Sequence, residues 1–354
     1  CITFNYHYSQ VILINKQLTI MNILNEVLQN NKTSLNPIWI MRQAGRYLPE
    51  FKEIRKKNQD FIKLCLNNEL SSEITLQPIK RFDLDAAIIF SDILMVPYGL
   101  NQGVEFKKNF GPILGDLKLN ETLKVTDKEF TKKIYPVYEA INFVSENDLI
   151  KNKKSTIGFV GAPWTLMVYM INKQSPKLSL KRDFFSDKDT IDKLFLLLDK
   201  FLKVHIKNQI ESGAQVIQIF DSWAGLLDEK DLPKFIYNPT FSLVEYVKTL
   251  NIPVICFPRG IKNYKAYCEI VKPDAICIDY EVDPIKIEKE IKIPVQGGMD
   301  PKVLLTDKDN LKKEALKYLD IFKDHPYIFN LGHGVLPETN PNMMDYLVKT
   351  VKDY

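Results

Sequence analysis

Arg42 and Arg46 flank the short stretch Gln43-Ala44-Gly45, which brings two guanidiniums near one flexible loop. Planar guanidinium forks bind carboxylates through paired hydrogen bonds. Asp92 follows an apolar run ending at Phe90 and offers the opposite charge. His333 stands between Gly332 and Gly334. Missing side chains there let the backbone come close to something and leave the imidazole little local packing. Tyr169 and Ser222 add hydroxyls. Such a set suits a carboxylate-bearing ligand and proton transfer. Each residue also has a plain reading. The arginines could pair with Glu50 or Glu53 on the surface. Asp92 could cap a helix, as could Ser222. Tyr169 could be core, and His205, on the apolar face of a helix, reads as a satisfied core histidine.

The elements that must position these residues follow from periodicity. Eight short β-branched, apolar runs read as strands: 38–41, 86–90, 156–160, 216–220, 253–257, 275–278, 293–296 and 327–331. Most lack polar alternation, which suits strands buried on both faces of a parallel sheet. Helical spacing of apolar residues fills 189–213, 240–250, 263–271 and 310–322. Alternating strands and helices predict a single-domain α/β fold, a (β/α)8 TIM barrel, over residues 22–354. The chemistry-bearing residues each follow a strand, so they converge on the C-terminal mouth, where such barrels hold their active sites. The loops that carry Arg259, Asp279 and Asp300 end there too. A doubly wound sheet is the structural rival, but no GxGxxG follows the first strand. The long connection 96–155 reads as a helical insertion, and residues 1–21 as an extension or leader remnant.

Composition narrows the function classes. With 354 residues, 45% of them hydrophobic and 26% charged, the chain can bury a large core. A net charge of +4 is too small to argue for nucleic acid, though it helps attract a polyanion. Five cysteines without a CxxC pair suggest neither a disulfide framework nor a cysteine-rich zinc site. The most apolar stretch, 157–171, is broken by Gly161 and Pro163 and is too short to span a membrane.

Longer motifs carry a resemblance. Met41-Arg42-Gln43-Ala44-Gly45-Arg46-Tyr47-Leu48-Pro49-Glu50 and Gly158-Phe159-Val160-Gly161-Ala162-Pro163-Trp164-Thr165-Leu166 resemble the two signatures of uroporphyrinogen decarboxylases. Phe90-Ser91-Asp92, Phe220-Asp221-Ser222-Trp223, Gly297-Gly298-Met299-Asp300-Pro301 and Asn330-Leu331-Gly332-His333-Gly334 fall in that family's order. The resemblance runs from about Asn22 to the C-terminus. It implies loss of carbon dioxide from the four acetate arms of uroporphyrinogen III, giving coproporphyrinogen III, with no metal and no organic cofactor. It implies that Arg42 and Arg46 bind substrate carboxylates, with the backbone of Gln43, Ala44 and Gly45 lining the loop. Arg55 adds a further cation. Asp92 sits at the centre of the macrocycle, and Tyr169, Ser222 and His333 contact it around the rim. Asp92, Arg42 and His333 are then the candidate catalytic groups. A homodimer is implied, with no nucleic-acid or membrane partner. Asp221-Ser222-Trp223 resembles bacterial and plastid members more than animal ones, which leaves a plastid or the cytoplasm as the expected compartment.

Two rivals remain. A cobalamin-related methyltransferase would carry a His-x-Cys zinc motif, and none of the four histidines has a cysteine two residues on. A non-catalytic tetrapyrrole carrier would keep the arginines and could dispense with Asp92.

Overall fold

The computed structural model describes residues 22–107, 110–176, 180 and 185–354; the expected extension at 1–21 lies outside them. Among the described residues nine strands are present: β1 Ala86–Ile88, β2 Val104–Lys107, β3 Gly111–Leu114, β4 Ser155–Gly161, β5 Val216–Asp221, β6 Val254–Pro258, β7 Ala275–Ile278, β8 Val295–Gly297 and β9 Tyr327–Ile328. Seven form one parallel sheet in the order β1-β4-β5-β6-β7-β8-β9. Parallel neighbours need crossover connections. Helices Lys188–Glu211, Asn238–Thr249, Tyr264–Val271, Pro284–Glu290 and Lys308–Ile321 lie on these crossovers. The spatial order follows the chain throughout. It never reverses, as a doubly wound sheet must.

The sheet separates two apolar clusters, and the period-two alternation of its strands assigns residues to each. Ile157, Val216, Ile255, Ala275 and Cys277 point into the smaller cluster with Trp39 and Met41. Ile217, Ile219, Val254, Cys256, Ile276 and Ile278 face the helices. The small cluster also holds a polar chain. Trp39 donates from Nε1 to Gln296 Oε1 (2.9 Å), and Gln296 Nε2 donates to Gln218 Oε1 (3.2 Å).

The segment expected as the first strand, 38–41, forms only an isolated parallel bridge between Ile38 and Phe329. Side chains have taken its donors. Ile38 N–H goes to Asp85 Oδ2, Ile40 N–H to Gln43 Oε1 and Met41 N–H to Asn330 Oδ1. A ladder needs those groups free for neighbouring carbonyls. The segment still ties to both ends of the sheet: Phe329 N donates to Pro37 O and Asp85 N to Ile38 O, each at 2.8 Å.

The expected helical insertion at 96–155 is corrected. It contains the antiparallel hairpin β2–β3, closed off by a bond from Gly115 N to Gly103 O of 2.8 Å. Val104 is buried while Glu105 is exposed, a strand alternation too short to stand out in sequence. The rest includes helix Asp127–Ser145, started by a Thr126–Glu129 capping box. That helix packs against helices Asn68–Arg81 and Lys188–Glu211, so it belongs to the outer layer around the sheet.

Helix Lys188–Glu211 buries Leu194, Leu197, Leu198, Phe201, Leu202, His205 and Ile206, the stripe expected from spacing. His205 is core, as read from sequence. Its Nδ1 pairs with Tyr138 Oη at 2.9 Å, and burial pushes its pKa down to about 3. An unfolded chain binds a proton at this residue near its ordinary value, but the folded chain does not until far lower pH. The stability tied to His205 is therefore present above about pH 6.5 and is lost as pH falls toward 3. Between pH 7 and 5 the loss is about 2 kcal/mol. Urea unfolding of His205→Gln at both pH values should show a visibly smaller acid loss than the parent protein; an equal loss would contradict this role.

Candidate active site

Asp92 is positioned by the extension of β1. Ile89 N donates to Ile157 O (3.0 Å), and helix Asn68–Arg81 clamps the next residue. Thr75 Oγ1 accepts from Phe90 N (2.8 Å), while Ser71 Oγ donates to Phe90 O (2.6 Å). Asp92 Oδ1 then accepts from Leu94 N at 2.9 Å. The capping reading is thus true of one oxygen. The other has no hydrogen-bond partner among the described residues. Burial raises the Asp92 pKa to about 6, opposed by the Leu94 bond and by the charge of Arg42.

Arg42 occupies the left-handed region, with φ +64°. For a non-glycine residue this costs roughly 1–2 kcal/mol, so the surroundings must enforce it. Gln43 does much of that. It is fully buried, accepts from Ile40 N and donates from Nε2 to Ala86 O, each at 2.9 Å. Val335 N closes the far side by donating to Met41 O (2.9 Å). The Arg42 side chain emerges solvent-reached at the mouth, yet ringed by protein atoms. That crowding lowers its pKa from the ordinary arginine value. Arg46 and Arg259 push the same way, while Asp92 and Tyr169 oppose.

His333 lies half-buried across from these groups. Burial, then the charges of Arg42 and Arg259, push its pKa down to about 4. The flanking glycines have distinct tasks. A Cβ on Gly332 would strike the backbone of Tyr280, and one on Gly334 would overlap the Arg42 stem. Tyr169, on helix Pro163–Asn172, packs edge-on to Trp223 with centroids 6.0 Å apart. Burial and the nearby Asp92 charge push its hydroxyl up to about 12. Beneath that aromatic pair, Thr165 Oγ1 donates to Asp221 Oδ1 (2.6 Å) and accepts from Trp223 N (3.1 Å). Asp221 is itself buried, and burial pushes its pKa up to about 7.

The fold therefore brings Arg46, Asp92, Tyr169 and His333 each within electrostatic reach of Arg42. Ala44 and Gly45 lie in the same loop, half-buried. Ser222 lines an adjoining cavity of about 250 Å³ together with Arg259. Arg55 is otherwise engaged: its guanidinium bonds the Asn58 carbonyl and lies 5.6 Å from the Phe61 ring centroid. A larger groove of about 760 Å³ runs over the outer helices, lined by Lys128, Lys132, Lys203 and Lys207 but by none of the mouth residues. Size alone does not select the site. Among the described residues no group of three or more His, Cys, Asp or Glu side chains is placed to hold a metal ion.

Comparison with known proteins shows the family. The family model described as "Uroporphyrinogen decarboxylase (URO-D)" matches residues 20–354. The chain belongs to the uroporphyrinogen decarboxylase family. The uroporphyrinogen decarboxylase of Rickettsia bellii is 42% identical over 326 residues, covering 90% of this chain and 95% of the relative. That of Rickettsia felis is also 42% identical, covering 90% and 93%. Among solved structures, a methyltransferase from Methanosarcina mazei superposes with a TM-score of 0.76 at 15% identity, covering 93% of this chain and 97% of that one. That likeness speaks for the fold alone.

Two features escaped the reading of the sequence. Arg259 was visible after its strand but lay outside the quoted motifs. Gln43 was read as loop lining, whereas its side chain is the strut under the Arg42 turn. A glutamine two residues beyond the apolar run 38–41 is the available signal. Gly334→Ala tests the fit at Arg42. Its backbone tolerates alanine, so the thermal midpoint should stay within about 2 °C, while kcat/KM should fall on the order of 10²-fold because Arg42 must move. Normal activity in this variant would show that Arg42 need not occupy this position.

Proposed function

We propose that the chain removes carbon dioxide from the acetate arms of uroporphyrinogen III, yielding coproporphyrinogen III for tetrapyrrole biosynthesis. The observation that carries this reading is one half-buried carboxylate, Asp92, beside the unpaired guanidinium of Arg42, which in turn feels those of Arg46 and Arg259, at the mouth of a parallel sheet. A macrocycle with inward N–H groups and outward carboxylates has the complementary pattern.

Decarboxylation leaves an electron pair that the pyrrole must accept. Protonating the ring carbon beside the acetate arm makes the pyrrole a cation. The bond to the carboxylate carbon then breaks, carbon dioxide departs, and the pair neutralises the ring as an exocyclic methylene. A proton added to that methylene, with loss of the ring proton, completes the methyl group. Each of the four decarboxylations consumes one proton and releases one carbon dioxide. Asp92, ionised, accepts from the pyrrole N–H groups and stabilises the cation. Arg42 and Arg46 hold carboxylates, Tyr169 and Ser222 orient the rim, and the loop backbone of Gln43, Ala44 and Gly45 shapes that wall. His333, with a pKa of about 4, carries no proton to give near neutrality, which supports a positioning role. Arg42, its pKa lowered, or a water held on the substrate is the donor. Arg55 joins this rim only by releasing the Asn58 carbonyl that its guanidinium bonds.

The catalytic domain spans 22–354, supported by the family match over 20–354. It is a closed (β/α)8 barrel in which 37–41 supplies the eighth position, supported by its bonds to both ends of the sheet. Two copies pair with their mouths facing.

The test is anaerobic incubation with uroporphyrinogen III and chromatography of the oxidised products. A ladder ending in coproporphyrin is expected. Asp92→Asn should lower kcat by roughly 10²–10³. Because Asp92 works as the anion and its pKa is raised to about 6, kcat/KM should hold above pH 7 and fall as pH drops through about 6. Absence of product from properly reduced substrate would contradict the reading.

A further inference from the structure

Arg259 is the first residue beyond β6, well around the sheet from the end of β1 that carries Asp92. Its backbone is pinned from several sides. The N–H of Arg259 donates to Asp221 O (3.1 Å), its carbonyl accepts from Gly225 N (3.0 Å), and Gly260 N donates to Asp279 Oδ2 (2.8 Å). Gly260 has φ +81°, and a Cβ on Gly225 would meet the Gly260 backbone at 2.7–2.9 Å. Two glycine backbones in contact thus fix where this arginine starts.

Its side chain, half-buried, lines the 250 Å³ cavity with Ser222, Asp279 and Glu281. Two carboxylates share that cavity, yet among the described residues Arg259 has no ion pair with either. Asp279 is already engaged. Its oxygens accept from Gly260 N, from Tyr264 Oη (3.3 Å) and from Glu281 N (3.0 Å). The charge of Arg259 acts on Arg42 and His333 instead. A rigidly based cation, unpaired and near another unpaired guanidinium, is electrostatically unfavourable until an anion arrives.

We infer that Arg259, with Ser222, binds a propionate carboxylate of the tetrapyrrole, an arm that the reaction leaves in place. The acetate being processed must lie beside Asp92 and Arg42. The recess of Ser222 and Arg259 opens to one side of them and takes a carboxylate that does not react. This assignment rests on the decarboxylase reading. It adds a specificity-determining residue to it.

The experiment compares the parent protein with Arg259→Gln and Arg259→Lys. It measures kcat and KM for uroporphyrinogen III and, separately, the dissociation constant of coproporphyrin III by fluorescence quenching. Thermal midpoints monitor folding. A charge-assisted carboxylate contact predicts KM roughly tenfold higher or more in Arg259→Gln, with kcat within threefold. Arg259→Lys should fall between, since the ammonium keeps the charge and loses the fork. Coproporphyrin keeps every propionate, so its affinity should weaken by the same factor. An unchanged KM and unchanged coproporphyrin affinity would overturn the inference. So would weaker uroporphyrinogen binding with coproporphyrin unaffected, which would make the partner an acetate. If Arg259→Gln fails to fold, Arg259→Lys decides alone, because a fork-dependent site must still lose affinity. A parent protein that makes no coproporphyrinogen would count against the decarboxylase reading, and the coproporphyrin measurement would still judge Arg259.

Discussion

Arg42 feels the like charges of Arg46 and Arg259 and the opposite charge of Asp92, and among the described residues none of the three guanidiniums has a carboxylate within ion-pair distance. Elsewhere on the chain some cations do find a carboxylate. Arg81 pairs with Glu50 at 2.8 Å, and Lys352 with Asp85 at 2.6 Å. Repulsion at the mouth is not relieved in this way, and the structure around it resists it. Gln43 holds Arg42 in a left-handed backbone, the Gly225–Gly260 contact holds Arg259, and Gly334 leaves room for the Arg42 stem. Each device spends local freedom to keep positive charge where it is not neutralised. Such sites hold polyanions, because the ligand supplies the missing charge.

The same constraint sets the protonation states. Burial pushes Asp92 up and His333 down, and the guanidiniums oppose the first shift while reinforcing the second. The outcome near neutrality is an anionic carboxylate and a neutral imidazole. That division gives the carboxylate the task of stabilising positive charge and gives the imidazole the task of hydrogen bonding. It follows from position rather than residue type, since His205, buried without charged neighbours, is driven lower by burial alone.

Much of this was legible beforehand. Strands from β4 to β8 announce themselves through dense β-branched runs, because both faces of a parallel sheet are buried. The segment 38–41 looks equally strand-like, but its donors are taken by Asp85, Gln43 and Asn330, and long-range side-chain capture leaves no periodic trace. The β2–β3 hairpin was missed because four-residue strands carry too few alternations. At the site, Arg42, Asp92 and His333 stood out because each follows a strand within a distinctive motif. Arg259 met the first condition and not the second. The shared fold with an archaeal methyltransferase at 15% identity shows why the mouth, not the sheet, must carry the functional argument.

The most direct test is the titration of His333 by imidazole NMR, feasible because the chain has only four histidines. Burial, reinforced by the unpaired charges of Arg42 and Arg259, predicts a His333 pKa near 4 in the free protein, rising by a unit or more when coproporphyrin III fills the mouth and its carboxylates offset the two arginines. A pKa near 6.5 in the free protein, unmoved by the porphyrin, would mean that neither burial nor the guanidiniums act on His333 and that no uncompensated positive charge stands at this mouth.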